Sequence, residues 1–379
     1  MKITFNGYYG FASYGDELFN LAGALGARRW WGAHRVSILG PPVAGVDAKF
    51  RVPGWFPSSL YTSPGLGGKL SRLGFFTGAM LRSDLIVYAG GSTLTSGRTV
   101  RKKIERFAAE RGIVKFAAIG VSVGPFSDAG DEADAARLLR KFIHFSVRDR
   151  KSAELLEKMG VPVKPMLGRD LAGVLPLLLP ENAPRAAAGT SRPVLGISVC
   201  HFERHFGGDT AVEERRNAAL FEGVARFAKR EGVLVRIFCL NTNPLSGDDA
   251  LSGELQRHLQ REGVEVEMIS AKDNLLGCWH GLGACNAVLS VRLHGAITAY
   301  LCGVPFALVE YHRKCADLVE DIGQPEALRI RPDCADPLAV EQIVERLLRR
   351  AELPAMSRDT YAREAALNFT QVPWATAAG

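Results

Sequence analysis

Short apolar runs recur along this chain and alternate with longer stretches whose apolar positions repeat at helical spacing. In the first half the runs at 2–6, 35–39, 84–88, 114–119 and 145–147 read as strands, and 163–170 as a strand and loop. The stretches at 18–31, 98–111, 133–143 and 152–159 read as helices between them. A second series opens with a strand at 194–199 and continues with strands at 233–240, 264–269, 287–291 and 306–309. Helices are expected at 213–230, 251–261, 273–282, 296–302 and 317–322. An amphipathic segment, 337–353, and a last helix, 357–367, close the chain. Alternation of this kind in both halves predicts parallel sheets covered by helices. The fold class expected is α/β, with two doubly wound, Rossmann-like domains facing a cleft. No repeat at solenoid period interrupts this pattern.

Two stretches break the alternation. Residues 175–192 carry Pro176, Pro180 and Pro184 with Ala186-Ala187-Ala188-Gly189, and Pro193 follows. This is the expected linker. It sets the domains at 1–180 and 193–345, with 346–379 as a helical tail that can pack back on the N-terminal domain. The other stretch, 41–78, is rich in Gly, Pro, Ser and aromatic residues. It is expected to be a long, partly ordered loop at the rim of an acceptor site.

Composition narrows the function classes. The 379 residues are 47% hydrophobic, ample for sizeable cores, and carry a formal net charge of +7. The basic residues are spread along the chain and no nucleic-acid-binding motif accompanies them, so nucleic acid is the weak reading, and the charge is compatible with anionic substrates or an anionic membrane surface. Seven cysteines without a CxxC pair read as reduced thiols. His201 and His205 stand at i, i+4 but lack an HExxH pattern and a third ligand, so no metal is expected. Met1-Lys2-Ile3-Thr4-Phe5 leads at once into a glycine loop without signal-peptide character, and no apolar run approaches a membrane span. The expected location is the cytoplasm, and peripheral association with the inner face of the membrane is compatible with this.

The candidate chemistry centres on the strand at 287–291, followed by Arg292-Leu293-His294-Gly295, an apolar helix, Gly303 and Pro305. Open α/β sheets bind ligands at the carboxyl ends of strands, next to helix N-termini that favour anions. An arginine fork and an imidazole there suit a phosphate or a carboxylate. The first loop, Gly7-Tyr8-Tyr9-Gly10 through Gly15-Asp16-Glu17, permits close backbone approach to a ligand but lacks the GxGxxG spacing of dinucleotide binders. Asp16 is either a helix-opening acid or a base. Arg148 follows a strand end and is either half of a structural Arg–Asp pair or a ligand contact. Lys314 lies beyond the strand at 306–309 and is either a ligand-binding ammonium or a surface lysine.

In order along the chain, Gly7-Tyr8-Tyr9-Gly10 to Gly15-Asp16-Glu17, Gly90-Gly91-Ser92, Gly120 to Gly124-Pro125, Ser146-Val147-Arg148-Asp149, Ser290-Val291-Arg292-Leu293-His294-Gly295, Gly303-Val304-Pro305 and Tyr311-His312-Arg313-Lys314 resemble the polysaccharide pyruvyl transferase family. The resemblance implies a GT-B-like fold. It also implies transfer of a pyruvyl group from phosphoenolpyruvate onto a sugar of a cell-surface polysaccharide or its precursor, as a cyclic ketal, with release of phosphate and no further cofactor. Donor binding then falls on Arg292, Leu293 and His294, with Arg148 and Lys314 placed around the same donor. Acceptor binding falls on Gly10, Tyr14, Asp16 and Ser92, and catalysis on His294 and Asp16. The acceptor is a glycan, whether lipid-linked, nucleotide-linked or soluble. The chain departs from the family pattern at Ser13, where Asn is usual, at Cys200, where Arg is common, and at Ala89, where a third glycine is usual. The alternative on the same fold is a glycosyltransferase using a nucleotide sugar.

Overall fold

The computed structural model describes residues 1–32, 34–179, 192–272 and 274–375. The chain divides into two units. The first holds Met1–Phe11, Asp16–Leu178 and Tyr361–Gly379; the second holds Ala12–Gly15 and Leu179–Thr360.

In the first unit the apolar runs form six parallel strands: β1 (Lys2–Asn6), β2 (Arg35–Ile38), β3 (Leu85–Leu94), β4 (Lys115–Val123), β5 (Phe142–Val147) and β6 (Met166–Leu167). Their order is β2-β1-β3-β4-β5-β6, with Phe5 opposite Val87 and Val87 opposite Ala117. The central strands are covered on both faces, which is why their sequences are continuously apolar instead of alternating. Phe76, Tyr88, Phe116, Phe142 and Phe145 form much of this core. Residues from Tyr361 onward close one side: Trp31 Nε1 donates to Phe369 O at 2.9 Å, and Asn368 Nδ2 to Arg169 O at 3.0 Å.

Three expectations are corrected here. Residues 41–78 are not a loop throughout, because helices run over Ser58–Thr62 and Leu66–Met80. Of the glycines that weaken the helical signal, Gly68 serves packing: a Cβ there would lie 2.2 Å from Ser63 O. The helix expected at 133–143 spans Ala129–Leu139 instead, because the Asp128 side chain accepts from the Asp131 N–H and starts it early. Of the strand and loop expected over 163–170, the strand is only the two residues Met166–Leu167.

The second unit repeats the plan with β7 (Val194–Ser198), β8 (Leu234–Cys239), β9 (Val266–Ser270), β10 (Ala287–Ser290), β11 (Phe306–Val309) and β12 (Arg329–Ile330). The order is β12-β11-β10-β7-β8-β9, all parallel. Strand β12 is too short to leave an apolar run and was not expected. Gly196 in β7 is held between neighbours: a Cβ there would lie 2.9 Å from Cys285 Sγ and 3.1 Å from Phe238 Cε2. Of the expected linker, Leu175–Leu178 is a short helical turn that continues the turn Leu171–Val174, and 180–191 lie outside the described residues. The helix expected from 273 runs over Leu275–Gly283, and Asp273 also lies outside the described residues. All seven cysteines are free thiols, six of them buried. Among the described residues, no helix is long and apolar enough to cross a membrane.

Two stability predictions follow from this packing. Gly196→Val should destabilise by about 1–3 kcal/mol through overpacking, read as a lower urea midpoint; an unchanged midpoint would mean the sheet is looser than described. His144 packs edge-on to Trp374, and burial lowers its pKa from 6.5 to about 4. The folded chain therefore keeps this ring neutral where the unfolded chain protonates it. Its contribution is complete above pH 6.5 and is lost as pH falls toward about 4. His144→Phe should remove about 3 kcal/mol of acid sensitivity across that window, measured as urea stability against pH.

Candidate functional site

In the second unit, the strand order reverses between β7 and β10, the place where doubly wound sheets bind ligands beyond their carboxyl ends. Two buried hydroxyls hold this end together. Ser198 Oγ and Ser290 Oγ lie 2.6 Å apart, and Ser290 Oγ donates to Arg292 O at 2.6 Å. The next helix is Leu293–Leu301, with Arg292 as its extended N-cap residue. The sequence expectation started it three residues late, at 296. Leu293 and His294 therefore belong to the first turn, where backbone N–H groups have no intrahelical acceptor.

Arg292 is held by a residue the sequence reading did not single out. Its Nε donates to Asp248 Oδ2 at 2.8 Å and its Nη2 to Asp248 Oδ1 at 2.5 Å. Asp248 is buried, just ahead of the helix Asp249–Arg261, and its N–H donates to Asn241 O at 2.7 Å. Burial pushes the Asp248 carboxyl above the usual carboxylate range, and the Arg292 charge works against that push. With the Nε–Nη2 edge committed, the Nη1–Nη2 edge of the fork is the one suited to gripping an anion.

His294 is half-buried against the tip of the first loop, which belongs to this unit. A Cβ on Gly15 would lie 2.0 Å from His294 Nδ1, so only glycine fits. The tip is fastened to the segment after β8: Tyr14 N donates to Leu240 O and Thr242 N to Ala12 O, both at 2.9 Å. Tyr14 itself is buried, with its hydroxyl 3.1 Å from Thr298 Oγ1. Leu293 is buried as well. Lys314 is half-buried in the first turn of the helix Arg313–Asp321, and its N–H donates to His312 Nδ1 at 3.1 Å.

Also in this unit, a charged cluster fixes the segment after β7. Glu213, fully buried, accepts from the Glu203 N–H at 2.7 Å, and its Oε1 lies 2.6 Å from His201 Nδ1. Arg216, also fully buried, grips Glu203 at 2.8 and 3.0 Å. His201 precedes the short helix Phe202–Phe206, so the two histidines do not share a helical face. Among the described residues, no three of His, Cys, Asp and Glu cluster as a metal would need.

The first unit carries the remaining predicted residues. The helix Tyr14–Trp30 starts earlier than the expected 18, which puts Asp16 in its first turn. Gly91 has φ near 74°, and a Cβ there would lie 3.5 Å from Asp16 Oδ1. Burial first, and the Asp16 charge second, raise the pKa of Tyr8 and Tyr9. Gly10, at φ 81°, lies against Pro41. Arg148 uses all three nitrogens on side chains: Nε to Ser122 Oγ at 2.7 Å, Nη1 to Asp170 Oδ2 at 2.8 Å, and Nη2 to the exposed Ser92 at 3.2 Å. Burial opposes its charge, and Asp170 more than offsets that, so its pKa is raised. The structural Arg–Asp pair is present, with Asp170 as partner. Within this unit Asp16 adjoins Gly91, and Ser92 adjoins Arg148.

Two parallel six-stranded sheets, each doubly wound, place the chain in the GT-B-like α/β class. Residues 34–313 match the sequence model of the polysaccharide pyruvyl transferase family, and the chain belongs to that family of transferases. No curated protein matches it. Among solved structures, it is similar to the UDP-GlcNAc 2-epimerase from Methanocaldococcus jannaschii, with a TM-score of 0.59, 10% identity, and 96% of this chain and 98% of that chain covered. It is also similar to the UDP-GlcNAc 2-epimerase from Neisseria meningitidis, with a TM-score of 0.57, 11% identity, and 98% and 97% covered. At these identities the likeness shows the fold alone.

Removing one partner of the buried Arg292–Asp248 pair should be worse than removing both. Asp248→Ala should cost about 1–3 kcal/mol in urea denaturation, because it strands a guanidinium that is only one-fifth exposed. The double change Asp248→Leu with Arg292→Met should recover most of that loss. A double variant less stable than Asp248→Ala would contradict the pairing.

Proposed function

We propose that this chain transfers the pyruvyl group of phosphoenolpyruvate to two hydroxyls of a sugar in a polysaccharide or its precursor, forming a cyclic ketal and releasing phosphate. The observation that carries the reading is the Arg292-Leu293-His294 turn at the strand-order reversal of the second sheet, in a chain of this family. Phosphoenolpyruvate brings a phosphate and a carboxylate. The Nη1–Nη2 edge of Arg292 and the helix N-terminus suit one of them, and Lys314, in the same unit, is the further cation assigned to it.

The chemistry starts with proton delivery to the methylene carbon, with His294 as the acid. One sugar hydroxyl then adds to the resulting cationic carbon and gives up its proton, for which Asp16 is the assigned base. The carbon–oxygen bond to phosphate breaks, phosphate leaves, and the second hydroxyl closes the ring with loss of its proton. No redox partner enters. Cationic side chains stabilise the charge that develops on the leaving phosphate. Gly10, Tyr14 and Ser92 are the other positions assigned to the acceptor. Tyr14 would act through the placement of its loop, since its hydroxyl is held by Thr298.

The test is incubation with phosphoenolpyruvate and a panel of glycans, read by mass spectrometry for the pyruvyl addition and by release of inorganic phosphate. His294→Ala should lower kcat/KM by at least about a hundredfold with an unchanged thermal midpoint. Arg292→Lys keeps a charge beside Asp248 and should also lose about a hundredfold, since an ammonium cannot copy the fork. Arg292→Ala is a poorer probe, because it leaves Asp248 unpaired. Release of a nucleotide from a nucleotide sugar, with no consumption of phosphoenolpyruvate, would replace this reading with a glycosyltransferase.

A further inference from the structure

The segment between Asp47 and Asp84 contains no acidic residue, and it holds Lys49, Arg51, Lys69, Arg72 and Arg82. Within it lie the helices Ser58–Thr62 and Leu66–Met80. Their inward face is satisfied: Tyr61 and Phe76 are buried, and Phe75 packs edge-on to Phe56 at 4.9 Å. Their outward face is also apolar. Trp55 is 81% exposed, Leu66 72%, Leu70 57% and Leu60 41%.

The three leucines form one neighbourhood. Leu66 and Leu70 are one helical turn apart and share a face. A Cβ on Gly67, between them, would lie 3.3 Å from Leu60 Cδ1. Trp55 precedes these helices in the same segment, with its ring 6.3 Å from that of Phe56, which is the partner of the inward Phe75. Lys69 is exposed beside Leu70, and Lys49 and Arg82 are exposed on the flanking segments. Isolated exposed leucines need no explanation, but three grouped leucines in a segment that also exposes a tryptophan and carries only cations do.

We propose that this face is a docking surface for an anionic phospholipid bilayer. The chemistry matches on three counts. The leucines can enter the boundary between headgroups and acyl chains, as the apolar face of an interfacial helix does. An indole suits the headgroup level, where one end is apolar and the other wet. The cations, with no carboxylate in the segment to oppose them, complement a negative lipid surface. Docking of this kind needs no spanning helix. It would bring the enzyme to acceptors held at a membrane.

The test uses the full chain and vesicles, and reads neither donor nor acceptor, so it can fail independently of the pyruvyl-transfer reading. The chain should float with vesicles of phosphatidylcholine and phosphatidylglycerol, about tenfold more tightly than with phosphatidylcholine alone, and less tightly as salt is raised. Vesicle binding should shift the tryptophan emission to the blue, and Trp55→Phe should abolish the shift. Leu66→Ser with Leu70→Ser should weaken binding about tenfold at an unchanged thermal midpoint. Lys69→Glu should weaken it for the anionic vesicles only. No flotation with anionic vesicles at low salt would overturn the proposal, as would wild-type binding by the double-serine variant. So would a dimer in solution that the same variant converts to a monomer, because the face would then belong to a second copy of the chain.

Discussion

The buried pair of Arg292 and Asp248 governs the geometry at the end of β10. A guanidinium that lost its carboxylate would have to leave the protein interior or remain there uncompensated, at a cost of about 1–3 kcal/mol. Pairing along the Nε–Nη2 edge fixes the plane of the fork and leaves its other edge to meet an anion. The same pairing holds the N-cap of the helix Leu293–Leu301, and so the first turn that carries His294. Stability in the second unit and the proposed donor contact therefore draw on one side chain. Substitutions at Arg292 will mix the two unless the charge is kept.

Glycine supplies the second constraint. Gly15 lets the backbone of the first loop lie directly against the His294 ring, at a distance where any side chain would collide. Around it, the loop tip bonds to the segment after β8, and Tyr14 anchors in the interior through Thr298. His294 is thus confined from one side by backbone, which limits the orientations its ring can adopt. In the first unit, Gly91 plays a comparable part beside Asp16, at a backbone conformation other residues rarely take.

Much of this was legible in the sequence, and the omissions share a cause. The buried strands announced themselves as continuous apolar runs, because parallel sheets are covered on both faces. The Arg292-Leu293-His294 turn stood out because strand, polar turn and apolar helix are consecutive. Asp248 left no comparable signal: it lies 44 positions from Arg292 and reads locally as a turn residue after Gly247. Asp170, 22 positions from Arg148, escaped for the same reason. Glu213 sits inside an ordinary helical pattern, where an acidic residue reads as solvent-facing although this one is fully buried. The helix Leu66–Met80 was hidden by its four glycines, whose weak helical propensity is overridden by the burial of Phe76, Ala79 and Met80.

The account rests on an anion being received at the first turn of the helix Leu293–Leu301. A crystal structure of the chain soaked with phosphoenolpyruvate addresses that directly. The account predicts density for the donor at this turn, with one of its anionic groups against the Nη1–Nη2 edge of Arg292 and within reach of His294. Donor density elsewhere, with this turn empty at full occupancy of the other site, would contradict it.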